Sequence, residues 1–382
     1  MPGTLSAHFS QCEPSAIRAA QIEFAKRQNP PEVINVAIGN VSLPMHPAMA
    51  ERLRNLGQPG KPFGDGIVKY TQAVGTDEAR SAFLNIIASS GFDTGGLYCQ
   101  ITDGGSQAME LCLIGTCGPA GSSERPLLLV DAAYTNYTAF AKRLGRKTVS
   151  IQRTLSEEGT FSLPSLEAIR QAMATHKPGA IVVIPYDNPT GHFYPQDVLI
   201  DLAKLCVEHD VWMISDEAYR ELHYTGSSPS SVWCITEEQV PGISGRRISI
   251  ETASKVWNAC GLRIGGIVTD HPEFHQRSVA EYTANLCPNA LGQHIFGALA
   301  HENHADLRAW YEKQRGYYAG MMQSFTQSMH EELPGVIVSS PDASLYSVVD
   351  VRRLVSNSFQ AQAFVHACAS EGSADLNGKP YT

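Results

Sequence analysis

Several features that would place a protein quickly are missing from this 382-residue sequence. No stretch approaches the roughly eighteen consecutive apolar residues that a membrane-spanning helix needs. No basic block occurs: 29 Lys and Arg against 38 Asp and Glu give a formal net charge of −9. That balance argues against nucleic acid or an anionic membrane as the main partner, while leaving room for a local cationic pocket around a small anion. The 9 cysteines form no CxxC pair and no cysteine–histidine cluster at zinc spacing, so neither a metal nor a disulfide framework is expected. An odd, unpatterned set of thiols suits a reducing compartment. The opening residues MPGTLSAHFSQCEPS lack a basic stretch followed by an apolar core, which makes the cytoplasm the expected location. Neither GxGxxG nor a P-loop is present, so a nucleotide site is unsupported. Internal repeats and low-complexity segments are absent as well.

What is present is a globular composition, 43% hydrophobic and 18% charged, with length enough for two domains. Short apolar, β-rich runs fall at 97–102, 126–132, 146–152, 180–187, 211–219, 246–254 and 262–270. Amphipathic stretches at 106–117, 165–175 and 195–209 lie between several of them. Strand–helix–strand alternation predicts an α/β fold with a mostly parallel seven-stranded sheet sandwiched by helices. Only residues 255–261 separate the last two runs, too few for a helical crossover, so that pair is expected to be antiparallel or joined by a tight turn. Beyond about residue 285 the pattern changes to long helical stretches (293–330), a hairpin-like segment (335–352) and a helix near 358–371. The expected division is an N-terminal arm with part of a small domain (1–50), a large domain (51–290) and a small α+β domain (291–382).

In an open α/β sheet, ligands gather outside the carboxyl ends of the strands. The polar residues there form a coherent set. Thr102-Asp103-Gly104-Gly105-Ser106 follows the first run and opens a helix; it reads as an ordinary tight turn or as a backbone grip on an anion. Asp187-Asn188-Pro189-Thr190-Gly191 is turn chemistry in which the Asn188 amide can donate to a ligand oxygen. Asp216, in Ser215-Asp216-Glu217-Ala218-Tyr219, ends a buried strand, where a carboxylate needs a cationic or donor partner unless it simply caps a helix. Lys255 ends the sixth run and Arg263 lies at the start of the seventh. A lysine at its ordinary pKa of roughly 10.4 is a poor nucleophile, but desolvation beside a cation can strip its proton. Arg263 offers a donor fork suited to phosphate. Taken singly, either residue reads as a solvated surface charge.

The order of these elements resolves more than any of them alone. DNPTG, SDEAY and SK-x₆-GLRIG follow one another about 30 to 40 residues apart, each at a predicted strand end. From about residue 39 to 346 the sequence resembles the class I/II aminotransferases, fold-type I enzymes dependent on pyridoxal 5'-phosphate. The resemblance implies that Lys255 carries the cofactor as a Schiff base and that Arg263, eight positions on, binds its phosphate together with Thr252, Ser254, Gly105 and Ser106. It implies that Asp216 pairs with the pyridine nitrogen, that Asn188 and Tyr219 donate to the ring oxygen, and that Tyr134 in DAAYTNY stacks on the ring. Lys255, Asp216 and Tyr219 are thus the expected catalytic residues. Tyr70, in KYTQAVGTDEAR, matches the tyrosine that reaches the neighbouring subunit's phosphate, which implies a homodimer. Gly39, in NVAIGNVSLP, matches a glycine loop over the substrate carboxylate, and Asn188 borders that subsite too.

The implied reaction moves an amino group between an L-amino acid and a 2-oxo acid, whether of aspartate, alanine or aromatic type. A carbon–sulfur lyase or another fold-type I lyase or synthase would share the same cofactor residues. Two departures from the family stand out. The arginine that ordinarily clamps the substrate carboxylate near the C-terminus has no counterpart, since Arg352 and Arg353 lie too early, and the small domain reads as truncated. The proline common before the stacking aromatic is also missing at Ala133.

Overall fold

Seven of the apolar runs become strands of one sheet: β1 Tyr98–Thr102, β2 Leu127–Asp131, β3 Thr148–Gln152, β4 Ala180–Val183, β5 Trp212–Asp216, β6 Arg247–Thr252 and β7 Gly265–Thr269. The structure is a computed structural model that describes residues 3–28, 39, 41 and 43–371. Strand order is β1-β7-β6-β5-β4-β2-β3. The pairs β2/β3, β2/β4, β4/β5 and β5/β6 are parallel, whereas β7 runs antiparallel to both β6 and β1. The short link between the sixth and seventh runs therefore does make an antiparallel pair, as its length requires.

Helices cover both faces: α1 Pro47–Asn55, α2 Asp77–Ser89, α3 Gly105–Thr116, α4 Asn136–Arg143, α5 Leu166–His176, α6 Gln196–Glu208, α7 Pro272–Tyr282, α8 Ala290–Phe296 and α9 His304–Glu332. Side chains of a strand point alternately to opposite faces. Leu127 and Leu129 accordingly join Met109, Leu113, Phe140 and Phe274 on the α3, α4 and α7 side, while Leu128 and Val130 join Phe83, Leu199 and Leu202 on the other. Burial on both faces is why these strands read as unbroken apolar runs, and each fully buried Leu or Ile contributes about 1.5–3 kcal/mol. Local signals start the helices. The Thr76 hydroxyl caps α2 by accepting from the Ala79 N–H at 3.3 Å, with Asp77 and Glu78 in the first turn, and Ser165 caps α5 in the same way.

The chain divides into two compact units, Val41–Ser328 with Val338–Val348 and, separately, Met1–Asn40, Met329–Ile337 and Val349–Thr382. This departs from the expected boundaries at 50 and 290. The reason is packing: Gln293 of α8 accepts from Thr76 N–H at 2.7 Å, Arg52 of α1 binds both Glu78 of α2 and the His294 carbonyl, and Phe296 meets Phe83 with centroids 4.4 Å apart. Trp310 and Tyr311 of α9 are buried in the same core. In the other unit, helices Ala16–Ala25 and Ala361–Glu371 lie against each other with neither fully burying a residue.

Candidate active site

Register brings the strand-end turns to one edge. Thr102 of β1 and Thr252 of β6 both pair with Gly265, the first residue of β7, so the turn after β1 and the turn after β6 flank the same position. The approach is close enough that a β-carbon on Gly265 would run into the Gly104 backbone. Gly104 itself has φ 86°, which an L side chain rarely adopts, and the Arg263 guanidinium occupies the space its β-carbon would need. α3 begins immediately afterwards, and its first N–H groups, at Gly105 and Ser106, have no partner within the helix. Arg263 sits in the left-handed region at φ 52° and spends one donor, Nη1, on the Cys260 carbonyl at 2.9 Å. Thr252 Oγ1 donates to Ser254 Oγ at 2.7 Å, which sets two hydroxyls side by side next to the same glycine turn.

Lys255 follows this pair and is half-buried. Burial, reinforced by the Arg263 charge, pushes its pKa below the ordinary lysine value, while Asp216 and Cys260 work the other way. Asp216 closes β5 one strand over. Burial raises its pKa, and among the described residues its two hydrogen-bond donors are neutral groups: Tyr137 OH to Oδ2 at 2.5 Å and Ala218 N–H to Oδ1 at 3.1 Å. Asn188, in the loop after β4, donates from Nδ2 to the Tyr219 hydroxyl at 3.3 Å, and that hydroxyl lies 2.6 Å from the hydroxyl of Tyr346. Tyr134, after β2, accepts from Asn136 Nδ2 at 2.7 Å and meets Tyr137 edge-on at 5.4 Å.

Beneath these residues the loops are tied by buried charge. Arg153 forms an ion pair with Asp187 and also donates to Thr190 Oγ1 at 3.0 Å, to the Val130 carbonyl at 2.9 Å and to Tyr194 OH at 2.9 Å. Arg220 Nη2 stands 2.6 Å from both Glu217 and Glu251, the residues next to Asp216 and Thr252. Burial raises the pKa of Glu217, and its Oε1 accepts from Ser231 Oγ at 2.7 Å and Val232 N–H at 3.1 Å.

The structure thus gathers Gly105, Ser106, Tyr134, Asn188, Asp216, Tyr219, Thr252, Ser254, Lys255 and Arg263 around the carboxyl edge of one sheet. Tyr70 is elsewhere: the residue is 77% exposed, and it lines a surface cavity of about 450 Å³ with Phe63, Lys69 and His294, whose lining includes none of the strand-end residues. Gly39 lies in the other unit, in a turn with φ 59°. Arg352 and Arg353 belong to that unit as well. His301 and His304 face separate partners, Glu78 at 2.6 Å and Asn85 at 3.0 Å. Three participants escaped the sequence reading: Tyr137, Tyr346 and Arg153. Only Tyr137 carried a signal, since its spacing of three from Tyr134 at a helix start puts the two rings on neighbouring positions.

Comparison with known proteins agrees with this geometry. The model of the family "Aminotransferase class I and II" matches residues 31–375. An aspartate/prephenate aminotransferase of Thermus thermophilus is 29% identical over 204 residues, covering 53% of this chain and 49% of that protein. A probable kynurenine–oxoglutarate transaminase of Saccharomyces cerevisiae is 24% identical over 267 residues, covering 66% of this chain and 56% of the relative. The aligned region thus spans about half the length of these curated relatives. Among solved structures, a mutant of the Thermus thermophilus aspartate aminotransferase superposes with TM-score 0.78 at 22% identity, covering 98% of this chain and 91% of that one. A pyridoxal-phosphate-bound C–S lyase from Staphylococcus hominis superposes with TM-score 0.72 at 18% identity, covering 90% and 80%. At such identities the likeness establishes a shared fold.

Proposed function

The chain belongs to the class I and II aminotransferases, and from that premise we propose that it transfers an amino group between an L-amino acid and a 2-oxo acid with pyridoxal 5'-phosphate as cofactor. One observation carries the reading: an amine of lowered proton affinity, Lys255, and a carboxylate, Asp216, act on each other electrostatically at the same sheet edge, beside the glycine–arginine turn. The residues fit the group. The Gly104 turn, the first N–H groups of α3, the Arg263 fork and the Thr252–Ser254 hydroxyls make a donor set for a phosphate. Asp216, whose hydrogen-bond donors are neutral and whose acidity burial weakens, gains from facing a protonated pyridine nitrogen.

When bound, the cofactor supplies an electron sink for the pair left on the substrate α-carbon after its proton departs. Lys255 would hold the cofactor through Nζ, and its amine, when free of that bond, would take up and return that proton as a general base. Asp216 holds a proton on the pyridine nitrogen, and Tyr137 keeps the carboxylate oriented. Asn188 and Tyr219 would hold the ring oxygen and Tyr134 would cover the ring face, with Asn188 also bordering the substrate carboxylate. The reducing compartment suggested by nine unpatterned cysteines points to the cytoplasm; among the described residues no helix is long and apolar enough to cross a membrane.

In this reading two chains form a homodimer with composite sites. The exposure of Tyr70, on a segment that also exposes Ile67 and Val68, supports a covering partner. Mixing a Tyr70→Phe chain with a Lys255→Ala chain then yields one site with both defects and one with neither, so turnover recovers. If Tyr70 serves its own chain, no recovery occurs. The reaction is tested by single turnover of the cofactor-loaded protein with aspartate, alanine and aromatic amino acids. One equivalent of 2-oxo acid per site without ammonia is expected. Continuous release of ammonia with a 2-oxo acid would instead identify a lyase.

A further inference from the structure

Resting on the cofactor reading above, we propose that Tyr346 is a positioning residue for Tyr219: its hydroxyl donates to the Tyr219 oxygen and so directs the one proton of Tyr219 at the ring oxygen of the cofactor. The observation behind this is a count of donors and acceptors. A neutral phenol has one proton to give and an oxygen that accepts. Tyr219 already accepts from Asn188 Nδ2 at 3.3 Å, and Tyr346 OH stands 2.6 Å away. Among the described residues the Tyr346 hydroxyl has no other hydrogen-bond partner. The two hydroxyls therefore hold two protons and share one bond, leaving one proton to spare. If Tyr219 donated to Tyr346, the spare proton would sit on the segment after β7 and α9 and not on the residue beside Asn188. With Tyr346 as donor, the Tyr219 oxygen receives two bonds and its proton is the one left over. Tyr219 is 4% exposed, and an unmet buried donor is costly, so a ligand oxygen in its path completes the network.

The placement of Tyr346 is not incidental. Residues 341–346 are bound to the two loops that carry Asn188 and Tyr219 by a dense set of backbone bonds. Asp342 N–H and Ala343 N–H both donate to the Gly191 carbonyl at 2.8 Å, Ser344 N–H donates to the Leu222 carbonyl at 2.9 Å, and Tyr224 N–H donates to the Asp342 carbonyl at 2.7 Å. Ser344 Oγ donates to the Asp187 carbonyl at 2.7 Å, next to Asn188. Gly191, at φ 70°, has no room for a β-carbon because Pro341 and the Tyr346 carbonyl press against it. The Tyr219 and Tyr346 rings meet edge-on, with centroids 5.7 Å apart and planes at 83°. Burial raises both phenols, Tyr346 to about 12, so both remain protonated across the working range.

A phenol that accepts two hydrogen bonds is a stronger donor, because donation into its oxygen polarises the O–H bond. Removing one of them weakens what Tyr219 offers the ring oxygen and makes that oxygen more basic. The test is a pH titration of the visible chromophore that the cofactor forms with Lys255, without substrate, in wild type, Tyr346→Phe, Tyr219→Phe and the double variant. The expected midpoint for Tyr346→Phe is higher by roughly half a pH unit or more. In the Tyr219→Phe background the second substitution is expected to move it no further, with the thermal midpoint of each cofactor-free protein reported alongside to separate a packing loss from the hydrogen-bond effect. An unmoved midpoint in Tyr346→Phe overturns the proposal, as does an equal shift in the Tyr219→Phe background, which would mean that Tyr346 acts without Tyr219. A wild type that forms no chromophore overturns the cofactor assignment and this proposal with it, an outcome distinct from the other two.

Discussion

Tyr137 donates its phenol proton to Oδ2 of Asp216 across 2.5 Å, joining the helix after β2 to the end of β5. That bond and the Ala218 N–H at 3.1 Å fix the carboxylate on both oxygens without neutralising it. Asp216→Asn is expected to retain cofactor but lose turnover by roughly 10²–10³, the range seen when a charge-stabilising group is removed. Tyr137→Phe leaves the charge in place and loosens only its orientation, so a smaller loss is expected. Cofactor stoichiometry and kcat measured together separate the two; an Asp216→Asn protein with wild-type turnover would make the carboxylate merely structural.

The Arg153–Asp187 pair predicts a stability effect. Its side chains are 2% and 0% exposed, and burial lifts Asp187 to about 6 even against the arginine's opposing charge. Arg153→Met strands a buried carboxylate and is expected to cost about 3–5 kcal/mol, read from the denaturant midpoint. Arg153→Met with Asp187→Asn is expected to recover part of that. A single variant within about 0.5 kcal/mol of wild type would show that the pair does not hold the loop.

Much of this arrangement was legible in the sequence, for reasons that also explain what was not. Strands β2, β4, β5 and β6 are buried on both faces, so each is a continuous apolar run with its polar residues at one end. Because parallel strands share a carboxyl edge, Asn188, Asp216 and Lys255 could be placed together from local pattern alone. The boundary at 290 was not readable, since amphipathic helices such as α8 and α9 have the same periodicity whichever body they pack on. Tyr346 lies 127 residues from Tyr219 and Tyr137 lies 79 from Asp216; neither pairing leaves a trace in local pattern.

Three histidines contribute to the acid response. Burial lowers His46, His192 and His223 to about 4 each: His46 packs edge-on against Trp257 and Trp310, and His223 stacks on Phe193 at 4.8 Å. In the unfolded chain a histidine titrates near roughly 6.5, so between the two values the unfolded state binds more protons and stability rises with pH. Their contribution is complete above about pH 6.5 and is lost on acidification toward pH 4. His223→Phe is expected to flatten the fall of the thermal midpoint between pH 6.5 and 4.5. An unchanged slope would place the acid sensitivity in other groups.

The central claim is that Lys255 is the residue that bonds the cofactor, and chemical trapping tests it directly. The protein is reconstituted with pyridoxal 5'-phosphate, reduced with borohydride, digested and mapped by mass spectrometry. Because burial and Arg263 hold its amine below the ordinary lysine pKa, Lys255 is expected to capture the aldehyde at a lower pH than any solvated lysine. The account predicts one label per chain, on the peptide that contains Lys255, and none in Lys255→Ala. A label on a different lysine, or equal labelling of the Lys255→Ala protein, would contradict it.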